Sequence, residues 1–329
     1  MKRLALMIIL MIVAVGASGE GLDVAIAALE QGRVEEARTQ LALLIEADPR
    51  SSSLHCWLGR ANLAAKKTQA AIDALELSVK LDPARSESHL WLGRAYLEEL
   101  QSGGGLQQAF LAGKARGALE KAVELDPSSV DARLSLAGYY LNAPMIAGGS
   151  RKKALAQAEA IAKLDAVQGS LLLAQIHAEK KEWDQAEAAL QRVLDLHPDH
   201  ADAHFLLGRI YQDSERWLDA SKSFEAAIAA NPELALAWYQ LGRTGALSGS
   251  NLDRALAAID VYLERFAGAG SPAYRVGAWW RKGTILEKKG RRDDAVAAYR
   301  HALQIDPNYE NARTSLEALI ARKGGSAKP

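Results

Sequence analysis

The residues with the most chemical potential sit close together in the run LHPDHADAH. His197, His200 and His204 would offer three imidazole nitrogens to a divalent metal, provided that all three converge. His200 falls in a turn, where an imidazole is ordinarily solvated. A metal or small-ligand carrier working through His197–His204 is therefore kept only as a lesser alternative. Gly148-Gly149-Ser150-Arg151-Lys152 opens a helix and could hold an anion on its free N–H groups, but a serine cap with basic neighbours accounts for the same residues. The phosphate-loop, nucleophile-elbow, zinc-helix and paired-cysteine motifs do not occur. One cysteine, Cys56, rules out an internal disulfide and a cysteine zinc cage. No catalytic residue, cofactor or metal is nominated, and the chain reads as a non-enzyme.

Elements are therefore needed less to position reactive groups than to present a surface. The 329 residues are 49% hydrophobic, with 40 basic and 40 acidic side chains. Disorder is excluded by the apolar content, and no net charge draws the molecule to nucleic acid or an anionic membrane. The first residues read as an address. Lys2 and Arg3 precede the apolar run Leu4–Val15, and Gly16, Ala17 and Ser18 supply small residues for cleavage. The run has 12 residues where a bilayer needs about 20. Residues 1–17 read as a signal peptide, with a mature chain from about Ser18. An uncleaved inner-membrane anchor is the alternative, and membrane contact is expected only in that case.

Beyond the leader, one phrase recurs. Six prolines close it, at Pro49, Pro83, Pro127, Pro198, Pro232 and Pro307. Pro49 to Pro83 is 34 residues, and so is Pro198 to Pro232. Counted from the start of each repeat, the eighth position is small, as in Gly59, Gly93, Ala137, Gly208, Gly242 and Gly283. The twentieth is alanine throughout, and the twenty-fourth is usually bulky, as in Leu75, Leu119, Phe224 and Tyr299. Small residues at eight are expected to face alanine at twenty where two helices cross closely, with the large residues packed around them. Proline stops the second helix because it lacks an N–H and clashes with the turn before it. Ser128 with Asp131 is expected to cap the helix that follows Pro127.

This pattern resembles the tetratricopeptide repeat family. The resemblance implies an all-α, right-handed solenoid of about eight helix-turn-helix repeats. They are placed at 18–51, 52–85, 86–129, 130–166, 167–200, 201–234, 235–269 and 276–309. A capping helix over 310–323 is expected to cover the last repeat, with a disordered tail at 324–329. Three stretches break the period. LEELQSGGGLQQAFLAGKARG and NAPMIAGGSRKKA lengthen the third and fourth repeats between their helices, and Gly270–Arg275 reads as a hinge. The two insertions should stand side by side on one edge.

The resemblance also implies an inner face lined by the first helices. Transferred position by position, that groove carries Trp57, Arg60, Trp91, Arg94, Phe205, Arg209, Tyr239, Arg243 and Trp280. Planar apolar groups alternating with guanidinium groups suit a peptide segment that is acidic with apolar anchors. The competing reading pairs the arginines with acids of their own solenoid. Chaperone-tail-binding members of the family carry lysine and asparagine where this chain has Cys56, Arg60 and Trp91, so that ligand is not implied. The reading is a non-catalytic protein–protein interaction scaffold or adaptor in the bacterial cell envelope, exported to the periplasm. The alternative is a membrane-anchored subunit of a secretion, pilus, polymer-export or cytochrome-maturation machine.

Overall fold

A computed structural model describes residues 19–102, 106–266, 268 and 271–324. The leader 1–17, the insertion glycines Gly103–Gly105, Gly270 and tail residues 325–329 lie outside the described residues. Among the described residues every regular element is helical. The helices pair as antiparallel neighbours. Helices α1 (Gly19–Glu30) and α2 (Val34–Ala47) form the first pair, and α3 (Ser52–Ala64) and α4 (Thr68–Leu81) the second. Next come α5 (Ser86–Ser102) with α6 (Leu106–Leu125), then α7 (Val130–Asn142) with α8 (Arg151–Leu164). Helices α9 (Ala166–Ala178) and α10 (Trp183–Leu196) follow, then α11 (Ala201–Asp213) with α12 (Trp217–Ala230). Helices α13 (Ala235–Ser248) and α14 (Leu252–Arg265) pair, as do α15 (Pro272–Lys288) and α16 (Arg292–Ile305), and α17 (Glu310–Gly324) ends the described chain. The fold is an all-α repeat solenoid. Its contacts divide into two compact units, one ending at Gly169 and one beginning at Ser170.

Five of the hairpins close on a contact that tolerates no side chain, and Ala25, Ala137 and Ala174 hold the same position in the others. A Cβ placed on Gly208 would lie 2.6 Å from the Phe224 ring, and one on Gly93 would lie 2.6 Å from Leu119. Gly59 meets Leu75, Gly242 meets Ile259, and Gly283 meets Tyr299 in the same way. This corrects the expected pairing. The eighth position faces the bulky twenty-fourth side chain, while the twentieth alanine brings its backbone near, as with Ala115 and Ala255. Long helical side chains lean toward the helix N-terminus, so position 24 covers the spot over its preceding turn.

The ends of the hairpins follow from local chemistry. At position fifteen the chain turns through the left-handed region at Gly32, Lys66, Lys181, Glu215, Gly249 and Gly290. The aspartate or asparagine before five of the six helix-stopping prolines folds back on the turn. Asp82 accepts the Ala84 N–H at 3.1 Å, and Asp126 accepts both the N–H and the hydroxyl of Ser128. Ser128 is thereby used up, and the cap of α7 is Ser129, whose hydroxyl accepts the Ala132 N–H. The expected hinge is also displaced. Ser271 caps α15 and Pro272 starts it, so Pro272–Arg275 form a helical turn. The third repeat spends its extra residues on longer helices, 17 and 20 residues against 13 and 14 in α3 and α4.

Tyrosines at position eleven latch successive hairpins. Tyr96 donates to Glu76 at 2.5 Å, Tyr140 to Glu120 at 2.7 Å and Tyr211 to Glu187 at 2.6 Å. Burial, then the bond to Glu187, pushes the Tyr211 phenol up to about 12. The folded chain therefore keeps this proton where the unfolded chain has lost it. Latch stability should hold below about pH 10 and fall as pH rises toward 12. Urea unfolding midpoints across that range should decline, and Tyr211→Phe should reduce the alkaline slope. Gly208→Ala should cost about 1–3 kcal/mol in the same assay through overpacking. Gly113→Ala, where an added Cβ meets nothing within 4 Å, should stabilise α6 by about 1 kcal/mol.

Candidate functional site

Each hairpin's first helix exposes position nine one turn beyond the aromatic positions five and six, so arginine and ring share a face. In the first compact unit this gives a ladder. The Arg60 guanidinium lies 3.5 Å from the Trp57 ring centre and 4.6 Å from that of Trp91, and Arg94 lies 4.7 Å from Trp91. Both arginines also have acids. Arg60 pairs with Glu87 at 2.7 Å, which also holds Arg85. Arg94 reaches Asp131 at 3.3 Å and donates to Ser135 at 2.9 Å. Burial lowers the proton affinity of Arg60 and Glu87 opposes that shift. The carboxylate that a partner was expected to bring is supplied here by the chain itself.

In the second compact unit the same positions have a different setting. Arg243 donates to the side-chain oxygens of Gln212 at 2.5 Å and Gln240 at 3.4 Å, both neutral groups. Gln212 is itself held, donating to Thr244 at 2.9 Å. Arg281, on α15, lies over the rings of Trp280 at 4.8 Å and Tyr239 at 5.4 Å. Its Nε is buried without a hydrogen-bond partner. Arg209 is exposed, in a hollow that it shares with Glu179 and Asp213. Burial, then the Arg281 charge, lowers the proton affinity of Arg243.

The difference traces to one position. The acids of the ladder, Glu87 and Asp131, each stand second in the repeat after their arginine. The equivalent residues after Arg209 and Arg243 are Leu236 and Gly277. Position two is thus the signal that separates the two sets of arginines.

The expected aromatic lining is corrected in part. Tyr239 is 7% exposed, in a core cluster with Tyr262 and Phe266 and edge-on to Tyr274. Trp280 donates to Ser315 of α17 at 3.1 Å and packs against Tyr309, so the closing helix covers it. Position five in these repeats turns toward the next hairpin. Phe205 is half-buried, tilted against Phe224 at 5.9 Å, and Trp57 and Trp91 are half-buried under the arginines.

The insertions of the third and fourth repeats do meet. They enclose a mainly apolar hollow of about 760 Å³ lined by Leu97, Leu100, Ala112, Tyr139, Pro144 and Ile146. Ser150 caps α8 by accepting the Lys153 N–H, which fills the role that an anion would take at GGSRK. The histidines are clasps. His204 bonds the Pro198 carbonyl at 2.7 Å, as His55 bonds Pro49 and His89 bonds Pro83, each at 2.9 Å. Trp238 and Arg133 make the same bond to Pro232 and Pro127. His200 Nδ1 accepts the Ala203 N–H and caps α11. Among the described residues, no group of three histidine, cysteine or carboxylate side chains is arranged to hold a metal.

Family profiles described as tetratricopeptide repeat match residues 22–86, 173–237, 207–273 and 276–309, together well over half of the chain. No curated protein matches. The fold is similar to that of the anaphase-promoting complex hetero-tetramer Cut9–Hcn1, at TM-score 0.53 and 17% identity over 93% of this chain. This chain spans 56% of that one. A tetratricopeptide repeat protein from Parabacteroides merdae gives 0.52 and 12% identity, covering 82% of this chain and 98% of its own. Pseudomonas aeruginosa pilF gives 0.52 and 17% identity, covering 72% and 98%.

The clasp reading of the histidines is testable. His204→Ala should lose about 0.5–1.5 kcal/mol of stability in urea unfolding. Zinc titrated into the wild-type protein should leave its unfolding midpoint unmoved, and a zinc-dependent rise lost in His200→Ala would reinstate a metal site.

Proposed function

The chain belongs to the tetratricopeptide repeat family, and from that premise we propose that it is a non-catalytic adaptor that holds a segment of a partner protein on its first helices. A scaffold for protein–protein interaction is what the family fold provides. The observation that supports the finer reading is the pair Arg243 and Arg281 of the second compact unit, the first held by two neutral glutamines and the second over aromatic rings. A rigid cation without its own acid suits a partner that brings one. The insertion hollow of the first compact unit offers a separate apolar surface.

The cell envelope is the proposed location, on the strength of the leader. Its basic start, apolar run and small residues support export to the periplasm. Among the described residues no helix is long and apolar enough to cross a membrane. Anchoring therefore rests on whether Leu4–Val15 is retained, and a retained segment would favour a subunit of a membrane machine.

Two measurements test these points. N-terminal sequencing of the protein recovered from the envelope should begin near Ser18, and a chain beginning at Met1 would favour the anchored form. A photo-crosslinking residue at Arg209 should capture one defined envelope polypeptide, while the same residue at Lys222, exposed on α12, should capture none. Equal capture from both positions would overturn first-helix docking.

A further inference from the structure

We propose that the insertion edge of the first compact unit seats the protein on an anionic lipid surface. The partner is a bilayer and not a polypeptide, so this inference does not depend on docking along the first helices.

The apolar part is a fixed knuckle. Between α7 and α8, Met145–Ala147 form a single 3-10 turn. Tyr139 donates its hydroxyl proton to the Ala147 carbonyl at 2.6 Å. The Gly149 N–H bonds the Pro144 carbonyl at 3.1 Å, and the Ser150 N–H bonds that of Tyr140 at 2.8 Å. A Cβ on Gly149 would collide with the Ala143 carbonyl, so the turn has no slack. Its tips nevertheless face water. Met145 is 87% exposed and Ile146 99%, and Phe110, near the start of α6, is 67% exposed. These are the three most exposed large apolar side chains among the described residues. Behind Ile146 lies the hollow of about 760 Å³, lined among the described residues by uncharged side chains. Hydrogen bonds thus hold out apolar groups whose exposure returns nothing to folding.

The charges around the knuckle are segregated. Residues 100–119 and 142–158, the two insertions with their flanking turns, hold Lys114, Arg116, Arg151, Lys152 and Lys153 and no acid. Acids resume at the borders, at Glu99, Glu120 and Glu159. The chain balances 40 basic against 40 acidic residues, so any attraction comes from this arrangement and not from net charge. Arg116 reaches the knuckle, its Nη1 donating to the Ala147 carbonyl at 3.5 Å, and the Lys114 ammonium lies 5.2 Å from the Phe110 ring centre. Three of the cations open α8, at the positive end of the helix dipole, where acids would be preferred. Glu76 holds Lys114 at 3.2 Å and Glu120 approaches Lys153 at 3.9 Å, while Lys152 is exposed. Projecting apolar tips with cations at their base suit a lipid interface, the tips entering the acyl boundary and the cations meeting phosphates. A folded partner would need a recess shaped to the knuckle, whereas a bilayer deforms around it. Membrane contact then needs no anchor from the leader.

The test places a solvatochromic fluorophore on Ile146→Cys in the full chain. Cys56 is buried and its thiol is pushed up to about 11, so it stays unlabelled. Emission should shift blue on vesicles containing phosphatidylglycerol, be quenched by brominated lipid, and respond less as salt rises. The same label on Lys222→Cys should not respond. In the chain labelled at 146, Lys152→Gln should raise the vesicle concentration required about fivefold. Met145→Ser should raise it about as much or more. Both side chains are exposed, so helicity by circular dichroism should be unchanged. A retained leader would tether the chain to vesicles of either charge, but it would not by itself bury position 146. No shift on phosphatidylglycerol vesicles, an equal shift on phosphatidylcholine alone, or an equal response at position 222 would each overturn the lipid seat. A shift with soluble polyglutamate and none with vesicles would overturn it too, and would give the edge to an acidic protein.

Discussion

The structure depends on one contact, the approach of two helices so close that the first has no room for a side chain. Gly59, Gly93, Gly208, Gly242 and Gly283 leave the space, and Leu75, Leu119, Phe224, Ile259 and Tyr299 fill it. Glycine inside a helix costs about 1 kcal/mol against alanine. The contact has to return more than that, and it does so by burying a large side chain completely. Phe224 and Tyr299 are no more than 1% exposed. Because the eighth position is small in every hairpin, glycine in five and alanine in three, a close approach recurs along the chain. The left-handed turn at position fifteen and the proline stop near position thirty-two then only have to bring the chain back to the same starting point.

The polar groups freed at those ends are satisfied by the repeat itself. An aspartate or asparagine before the proline accepts an N–H two residues on. The proline carbonyl accepts a side-chain N–H from position four of the next helix. Histidine, tryptophan and arginine all serve, because each can place one N–H donor at that reach. Three of the seven histidines are thereby explained as donors to backbone. A run such as LHPDHADAH brings imidazoles close in sequence for reasons of helix capping.

Period, hairpin order and the recurrence of small and bulky positions were legible because they repeat, although the partner of the eighth position was read as the twentieth and is the twenty-fourth. What the sequence hid was mostly single-site competition. Lys66, Lys181 and Glu215 sit in the left-handed region without being glycine, so composition gave no sign of the turn. Ser128 looked like a cap as good as Ser129, and only the claim of Asp126 on its hydroxyl decides between them. The glycines of the third repeat suggested a loop, yet the flanking residues extend both helices. Tyr239 was assigned to an open face by its position number. Tyr274, on a first turn added to α15 by Ser271 and Pro272, closes over it.

The arginines show how one phrase can have two fates. Leu-Gly-Arg occurs at 58–60, 92–94, 207–209 and 241–243, and its backbone setting is the same each time. Family habit explains why arginine follows the small position, and it says nothing about function. The distinguishing residue lies about thirty positions later, across a whole second helix, at position two of the next repeat. An acid there makes the arginine a strut between hairpins. Glycine there leaves Arg243 oriented and partly dried but not neutralised, whereas Arg209, with leucine there, stays exposed. A buried charge without a counter-charge is costly to keep unless something else repays it. Gln212 and Gln240 lower that cost for Arg243 without cancelling the charge, so the second compact unit stores an unmet electrostatic demand in its first helices. The first unit meets the same demand from within, and that asymmetry, more than the number of arginines, marks where a partner has something to add.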